Sequence, residues 1–109
     1  MRMLLRVSIP VESGNAAAKA GTLGTTVEQI LADLKPEAAY FFADDHGRRS
    51  GSTVFDMKDS SDIPAVAEPW FQAFKATVSF RPIMSPQDLA KGRSIHWRGC
   101  EAIRQVVCF

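Results

Sequence analysis

The residues best suited to bind a ligand are two arginines and an aspartate on predicted strands. Arg6, Arg81 and Asp56 alternate with the apolar positions of those strands and so point away from the core. Two guanidinium groups with a carboxylate beside them can hold a carboxylate or phosphate ligand through charge-assisted hydrogen bonds. Tyr40 completes this candidate ligand-binding set. The simpler interpretation is an ion pair of Asp56 with one arginine, which contributes little to stability at a surface.

A second candidate is the polar segment that contains His46. Asp44, Asp45 and His46 could bind a divalent cation, or His46 could act as a general base. Because aspartate and glycine are also the residues that a hairpin turn requires, turn formation already accounts for the segment. No further ligand is identifiable in the sequence, so we expect neither a metal ion nor a cofactor.

Aromatic residues could line an apolar ligand cavity, although aromatics at strand and helix spacing fill protein interiors by default. The residues concerned are Tyr40, Phe42, Trp70, Phe71 and Phe74. The glycines do not form a phosphate-binding loop, since neither Gly-x-Gly-x-x-Gly nor Gly-Lys-Ser/Thr occurs. No serine or cysteine stands directly beside a histidine, and no catalytic residue is assigned.

The composition limits the classes of protein to consider. The 109 residues suffice for one domain, and the hydrophobic fraction of 46% is typical of a folded protein. A formal net charge of +1 argues against nucleic acid as a partner. No apolar run approaches the ~20 residues of a membrane span, and the N-terminus lacks a signal-peptide core. We therefore expect a cytoplasmic protein, with Cys100 and Cys108 as free thiols.

The first half of the chain predicts a strand, a helix and a second strand. Residues 3–9 alternate in polarity and predict a strand that Pro10 ends. Apolar residues at three- and four-residue steps predict one helix over 15–34, with a bend where Gly21 and Gly24 lower helix propensity. The aromatic run at 38–43 predicts the second strand.

The second half predicts a hairpin, a helix and an edge strand. Residues 52–58 alternate and pair with the preceding strand across the polar turn. The cluster at 59–62 predicts a capped helix start with Pro64 in its first turn, and this helix ends near Phe74. Pro69 is expected to interrupt the helix after one or two turns, to kink its axis and to turn Trp70, Phe71 and Phe74 toward the core. Residues 75–84 predict the fourth strand.

This order, βαββαβ, predicts a ferredoxin-like α+β fold with a four-stranded antiparallel sheet and two helices on one face. Strands one and three are expected at the centre of the sheet. The helix-facing side would carry Met3, Leu5, Val7, Phe55, Met57, Val78 and Phe80. The open side would carry Leu4, Arg6, Ser8, Ser52, Val54, Asp56, Thr77, Ser79 and Arg81. The register of strand two stays open, so either Tyr40 and Phe42 or Phe41 joins the open side.

Residues 1–92 resemble a group of short bacterial proteins, most clearly at 4–10, 38–43 and 65–71. Their element order is similar to that of the dimeric α+β barrel superfamily. The resemblance implies a homodimer in which two sheets enclose a cavity. Because that superfamily hosts monooxygenases, isomerases and haem-handling proteins, the shared fold says little about activity.

Two functions follow as hypotheses. In the first, the cavity between the sheets holds a small, anionic organic molecule beside Arg6 and Arg81. In the second, the protein is a non-catalytic dimerisation or interaction module whose open sheet face is used for self-association. Polar Ser8, Thr77 and Ser79 on this face favour a wet cavity and hence the first hypothesis.

The composition changes after Lys91, and the resemblance fades at the same place. We therefore divide the chain into a ferredoxin-like domain, residues 1–92, and a C-terminal tail, residues 93–109. The tail either forms a short helix over about 99–107 or is poorly ordered.

Overall fold

Four strands and four helices make up the part of the chain that the structure describes. The structure is a computed structural model, and it describes the backbone of residues 1–96 and the side chains of residues 1–92. The elements, in chain order, are β1 (Arg2–Ile9), α1 (Val11–Ala20), α2 (Leu23–Leu34), β2 (Ala38–Ala43), β3 (Arg49–Asp56), α3 (Ile63–Phe74), β4 (Thr77–Pro82) and α4 (Pro86–His96). A short 3-10 turn, Ser60–Asp62, precedes α3. This is the predicted βαββαβ order, with two helices in place of the first predicted helix and one additional helix at the end.

The strands form one antiparallel sheet in the order β2-β3-β1-β4. Strand β1 pairs with β3 on one side and with β4 on the other. The prediction that strands one and three are central is confirmed, and β2 and β4 are the edges. This arrangement is the ferredoxin-like α+β fold.

The core lies between the sheet and the helices. Strand β1 alternates as predicted, and Leu5 is completely buried. Trp70 and Phe74 of α3 and Ile30 of α2 pack in the same cluster. Of the predicted helix-facing residues, Met3, Leu5, Val7, Phe55 and Met57 are buried, and Val78 and Phe80 are partly buried against them. Burial of a large apolar side chain stabilises the fold by about 1.5–3 kcal/mol.

The prediction of one long helix over 15–34 was wrong. The chain forms two helices, because Gly21 adopts a left-handed conformation with φ 75° and ends α1. The backbone N–H groups of Gly21 and Thr22 donate to the last carbonyls of α1, as in other glycine-capped helix ends. Helix α1 also begins earlier than predicted, at Val11, directly after Pro10.

Helix α3 differs from its prediction in three ways. It continues through Pro69 without interruption from Ile63 to Phe74. Trp70 and Phe74 are buried, but Phe71 remains 43% exposed, because it lies about 100° around the helix from Trp70, at the edge of the buried face. The polar cluster at 59–62 forms the 3-10 turn, and no side chain there caps α3, although Pro64 stands in its first turn as predicted.

Two strands are displaced from their predicted limits, and one helix was not predicted. Strand β3 begins at Arg49 and ends at Asp56, and β4 covers only Thr77–Pro82, since Lys75 adopts a left-handed conformation at the end of α3. Helix α4 begins with reciprocal hydrogen bonds between Ser85 and Asp88, which form a capping box.

The C-terminal predictions can be followed only in part. Helix α4 crosses the predicted boundary after residue 92, and the division into domain and tail stays a prediction. The predicted helix over 99–107 and both cysteines lie outside the described residues. Among the helices that are described, none combines the length and the apolar character that a membrane crossing requires.

Candidate functional site

The register of the sheet determines which side chains share its open face. Arg6 pairs with Ser52 on one side and with Ser79 on the other, and Tyr40 follows Ser52 in the same row. Residues directly opposite each other in a sheet point to the same face. The open question about strand two is thereby answered: Tyr40 and Phe42 lie on the open face, and Phe41 lies on the helix side.

A polar cleft of about 280 Å³ occupies one end of this open face. Strands β1 and β4 contribute one cation and three hydroxyl groups to it, and the β2–β3 turn contributes a carboxylate, an imidazole and a second guanidinium group. The lining residues are Arg6, Ser8, Asp44, His46, Arg48, Thr77 and Ser79. The fold thus brings Arg6 together with the polar turn, two features that the sequence presented separately.

Asp44 organises the turn beside the cleft. Its Oδ1 atom accepts hydrogen bonds from the backbone N–H groups of His46 at 2.9 Å and Arg48 at 3.0 Å. Its Oδ2 atom accepts a hydrogen bond from the Ser8 hydroxyl at 3.0 Å. These hydrogen bonds lower the pKa of Asp44 to about 2. The largest effect comes from the backbone N–H of Arg48, and smaller ones come from the backbone N–H of His46 and the Ser8 hydroxyl. The Asp44 carboxylate therefore fixes the position of the turn against β1.

Arg6 is one of the two exposed arginines that line the cleft, the other being Arg48. Its guanidinium group lies 5.5 Å from the centre of the Phe42 ring, within the range of a cation–π contact. The side chain is exposed, and no carboxylate within the described residues forms an ion pair with it. A guanidinium group in this position has its N–H donors free for a carboxylate or phosphate ligand.

The remaining predicted site residues lie at other places on the open face. Tyr40 is 68% exposed, in the row of Arg6. Arg81 pairs with Leu4, one row from Arg6 along the sheet, and does not line the cleft. Arg6 and Arg81 are thus diagonal neighbours on adjacent strands.

Asp56 lies at the far end of the sheet from the cleft. It is opposite Arg2, and its carboxylate accepts a hydrogen bond from the Met1 amino group at 2.9 Å. This hydrogen bond and the positive charge of the amino group lower the pKa of Asp56. Asp56 lies four residues along β3 from Ser52, the residue opposite Arg6. The Asp56 carboxylate therefore does not lie between Arg6 and Arg81.

The structure gives the polar turn a structural role. Both carboxylate oxygens of Asp44 accept hydrogen bonds within the protein, and Gly47 adopts the left-handed conformation that closes the hairpin. Within the residues that the structure describes, no group of three His, Cys, Asp or Glu side chains could hold a metal ion.

Arg48 is the cleft residue that sequence reasoning did not single out. It follows the turn glycine, and its position became visible only once β2 and β3 were paired and the turn came to lie beside Ser8. The length of the hairpin would have been the usable signal, because the limits of both strands fix where the turn falls along β1.

The five aromatic residues do not line one cavity. Trp70 and Phe74 pack together in the core, at 6.0 Å between ring centres. Tyr40 and Phe42 lie on the opposite side of the sheet, and Phe71 is exposed on α3. Of these five residues, Trp70 and Phe74 are core residues, as the simpler interpretation expected, and the other three are exposed.

Comparison with known proteins supports the fold and no narrower assignment. No family model and no curated protein matches the chain. A solved structure of 5-chloro-2-hydroxyhydroquinone dehydrochlorinase from Burkholderia phenoliruptrix AC1100, in complex with 2,5-dihydroxybenzoquinone, is similar with a TM-score of 0.60. The match covers 80% of this chain and 97% of the dehydrochlorinase at 12% identity.

Two formyltetrahydrofolate deformylases give weaker matches. The enzyme from Pseudomonas putida KT2440 matches with a TM-score of 0.48 and 17% identity, over 76% of this chain and 29% of its own. The enzyme from Burkholderia mallei ATCC 23344 matches with a TM-score of 0.43 and 20% identity, over 75% and 28%. The match with the dehydrochlorinase, at 12% sequence identity, shows the fold alone: this chain has a small ferredoxin-like α+β fold.

Proposed function

We propose that the protein is a homodimer whose open sheet faces meet and enclose a cavity for a small anionic organic molecule. The observation that carries the proposal is the cleft around Arg6. Its guanidinium group has no carboxylate partner among the described residues, and the hydroxyls of Thr77 and Ser79 line the same cleft. This is the donor-rich environment that a carboxylate ligand requires.

The balance of charge in the cleft favours an anion over a cation. Arg6 and Arg48 contribute two permanent positive charges, and Asp44 contributes one negative charge. The Asp44 oxygens already accept hydrogen bonds from the turn and from Ser8. The arginines therefore have the greater unused capacity for hydrogen bonds with a ligand.

The remainder of the open face supports the dimer. Tyr40 and Phe42 are exposed, and Leu4 and Val54 are only half-buried, so each of β1, β2 and β3 presents apolar surface on this face. An apolar patch with a polar rim is typical of a protein interaction site. A second subunit on this face would cover the patch and withdraw the cleft from bulk water, which strengthens the attraction between Arg6 and an anion.

The structural neighbour is compatible with this proposal. The dehydrochlorinase of similar fold is complexed with 2,5-dihydroxybenzoquinone, a small organic molecule rich in oxygen atoms. The second candidate, a non-catalytic interaction module, draws on the same exposed Tyr40 and Phe42 and needs no ligand. Ligand binding at Arg6 is what separates the two candidates.

The test is calorimetric titration with benzoate, an anionic aromatic probe, and with benzamide, its neutral counterpart. We expect benzoate to bind the unmodified protein and benzamide to bind at least about tenfold more weakly. Arg6→Ala should weaken benzoate binding by a similar factor. Arg81→Ala is the control, since Arg81 lies outside the cleft, and its effect should be below about threefold. Absence of benzoate binding, or equal binding by the Arg6→Ala variant, would contradict the anionic-ligand site.

A further inference from the structure

A second concave surface lies on the opposite side of the sheet, between α2 and the β2–β3 hairpin. Phe41 shares a row with Gly51 and Val7, so its side chain points to the helix side. Val7 in that row is buried, yet Phe41 is 57% exposed. The helix layer therefore does not cover the inner surface of β2.

Helix α2 leaves this surface uncovered because it buries little of its own apolar face. Ile30 is its only buried residue, and Leu23, Val27 and Leu31 are half-buried. Between these side chains and the hairpin lies an apolar groove of about 620 Å³. Pockets for small organic ligands in proteins fall between about 300 and 1,000 Å³ and are mainly apolar.

The floor of the groove is kept open by a glycine. A Cβ atom at Gly51 would lie 3.1 Å from Cδ1 of Phe41, closer than ordinary side-chain contacts. Because Gly51 has no side chain, Phe41 lies over the strand beside the groove. The aromatic ring is then available as one wall for a flat or apolar ligand.

The groove also includes one buried polar group without a partner. Trp70 belongs to the lining and is 2% exposed, and its Nε1–H donor has no hydrogen-bond acceptor among the described residues. Buried indole N–H groups are usually hydrogen-bonded. Because Nε1 is buried, an acceptor in the groove reaches it only after a small side-chain rearrangement, of a kind that is common on binding.

We infer that this groove is a second binding site, for a small apolar or aromatic molecule that carries one hydrogen-bond acceptor. The apolar body contacts Phe41, Val27 and Leu31, and the acceptor receives the Trp70 Nε1 hydrogen. The site lies on the helix side of the sheet, so it depends neither on the dimer nor on the anionic ligand proposed for the open face.

The test uses ¹H–¹⁵N NMR spectra of the full chain, in which each tryptophan indole gives a separate signal. Trp97→Phe removes the other signal and identifies that of Trp70. The probes are acetophenone, which has one carbonyl acceptor, and ethylbenzene, which has the same shape without it. We expect acetophenone to shift the Trp70 indole proton downfield and to bind about fivefold more tightly than ethylbenzene.

Two variants locate the binding site. Val27→Phe places an aromatic ring in the groove, without adding an indole signal, and should abolish the acetophenone shift. Ala32→Phe, on the exposed side of the same helix, should leave it unchanged. Arg6→Ala should also leave it unchanged, which separates this site from the open-face cleft. An unmoved Trp70 signal at millimolar acetophenone, equal affinity for ethylbenzene, or a shift that persists in Val27→Phe would overturn the inference. So would a Trp70 signal that changes with protein concentration in the absence of probe while the signals of the open face do not, which would show that a second copy covers the groove.

Discussion

At the residue scale, Asp44 shows how one side chain joins the turn to the rest of the sheet. Its carboxylate accepts hydrogen bonds from two backbone N–H groups of the turn and from Ser8 on β1. Sequence reasoning identified the segment as a turn correctly, because aspartate and glycine have known roles in turns. The contact with Ser8 joins positions 36 residues apart and leaves no local signal in the sequence.

The first prediction concerns the protonation of Asp44. Its pKa in the folded protein is about 2, below the ordinary 3.8, so the ionised carboxylate stabilises the fold above pH ~4. This contribution should be lost as the pH falls from about 4 to about 2. The measurement is an NMR titration of the Asp44 carboxyl carbon in the native protein.

A matched variant tests the cause of this shift. Ser8→Ala removes one of the hydrogen bonds to Asp44 and should raise its pKa, though not to 3.8, because the two backbone donors remain. If Asp44 titrated near 3.8 in the unmodified protein, the hydrogen bonds described for the turn would not form in solution.

At the element scale, the alternation of polar and apolar residues predicted the two faces of a strand correctly, whereas the first and last residues of the strands were predicted less well. The period-two pattern of β1 fixed its two faces, because a shift of one residue would expose Leu5 and Val7. The limits of β3 and β4 depend on where backbone hydrogen bonds find partners. Those partners come from other strands, so the local sequence does not determine them.

The sequence-based prediction was least accurate at residues 11–34, where two helices, α1 and α2, form instead of one. Two glycines lie close together there, and the sequence does not show which of them leaves the helical conformation. Gly21 has φ 75°, whereas Gly24 lies inside α2. The break changes the position of α2 and with it the groove beside β2, so this site could not be predicted from residue types.

A matched pair of substitutions tests this difference. Gly21→Ala places a side chain in a left-handed conformation and should destabilise the protein by about 1 kcal/mol. Gly24→Ala stands in a helix with no atom within 4 Å of the added Cβ and should stabilise the protein by about 0.5 kcal/mol. Urea unfolding gives both free energies. Equal effects of the two substitutions would show that the helix is not broken at Gly21.

At the scale of the whole molecule, the order of elements was enough to predict the fold. The βαββαβ order, with helices on one face, predicted the sheet β2-β3-β1-β4 and the presence of an open face. It did not predict which charged residues meet on that face. Arg6 meets the turn and Asp56 does not reach it, since this depends on a register that only the paired strands define.

Native mass spectrometry of freshly purified protein tests whether two copies of the chain form the proposed homodimer through their open sheet faces. We expect a dimer that carries additional mass from a small organic molecule. Val54→Lys places a charge at the centre of the open face and should give a monomer, and Ala32→Lys on α2 should leave the dimer intact. If the unmodified protein were a monomer, the proposed homodimer would be ruled out.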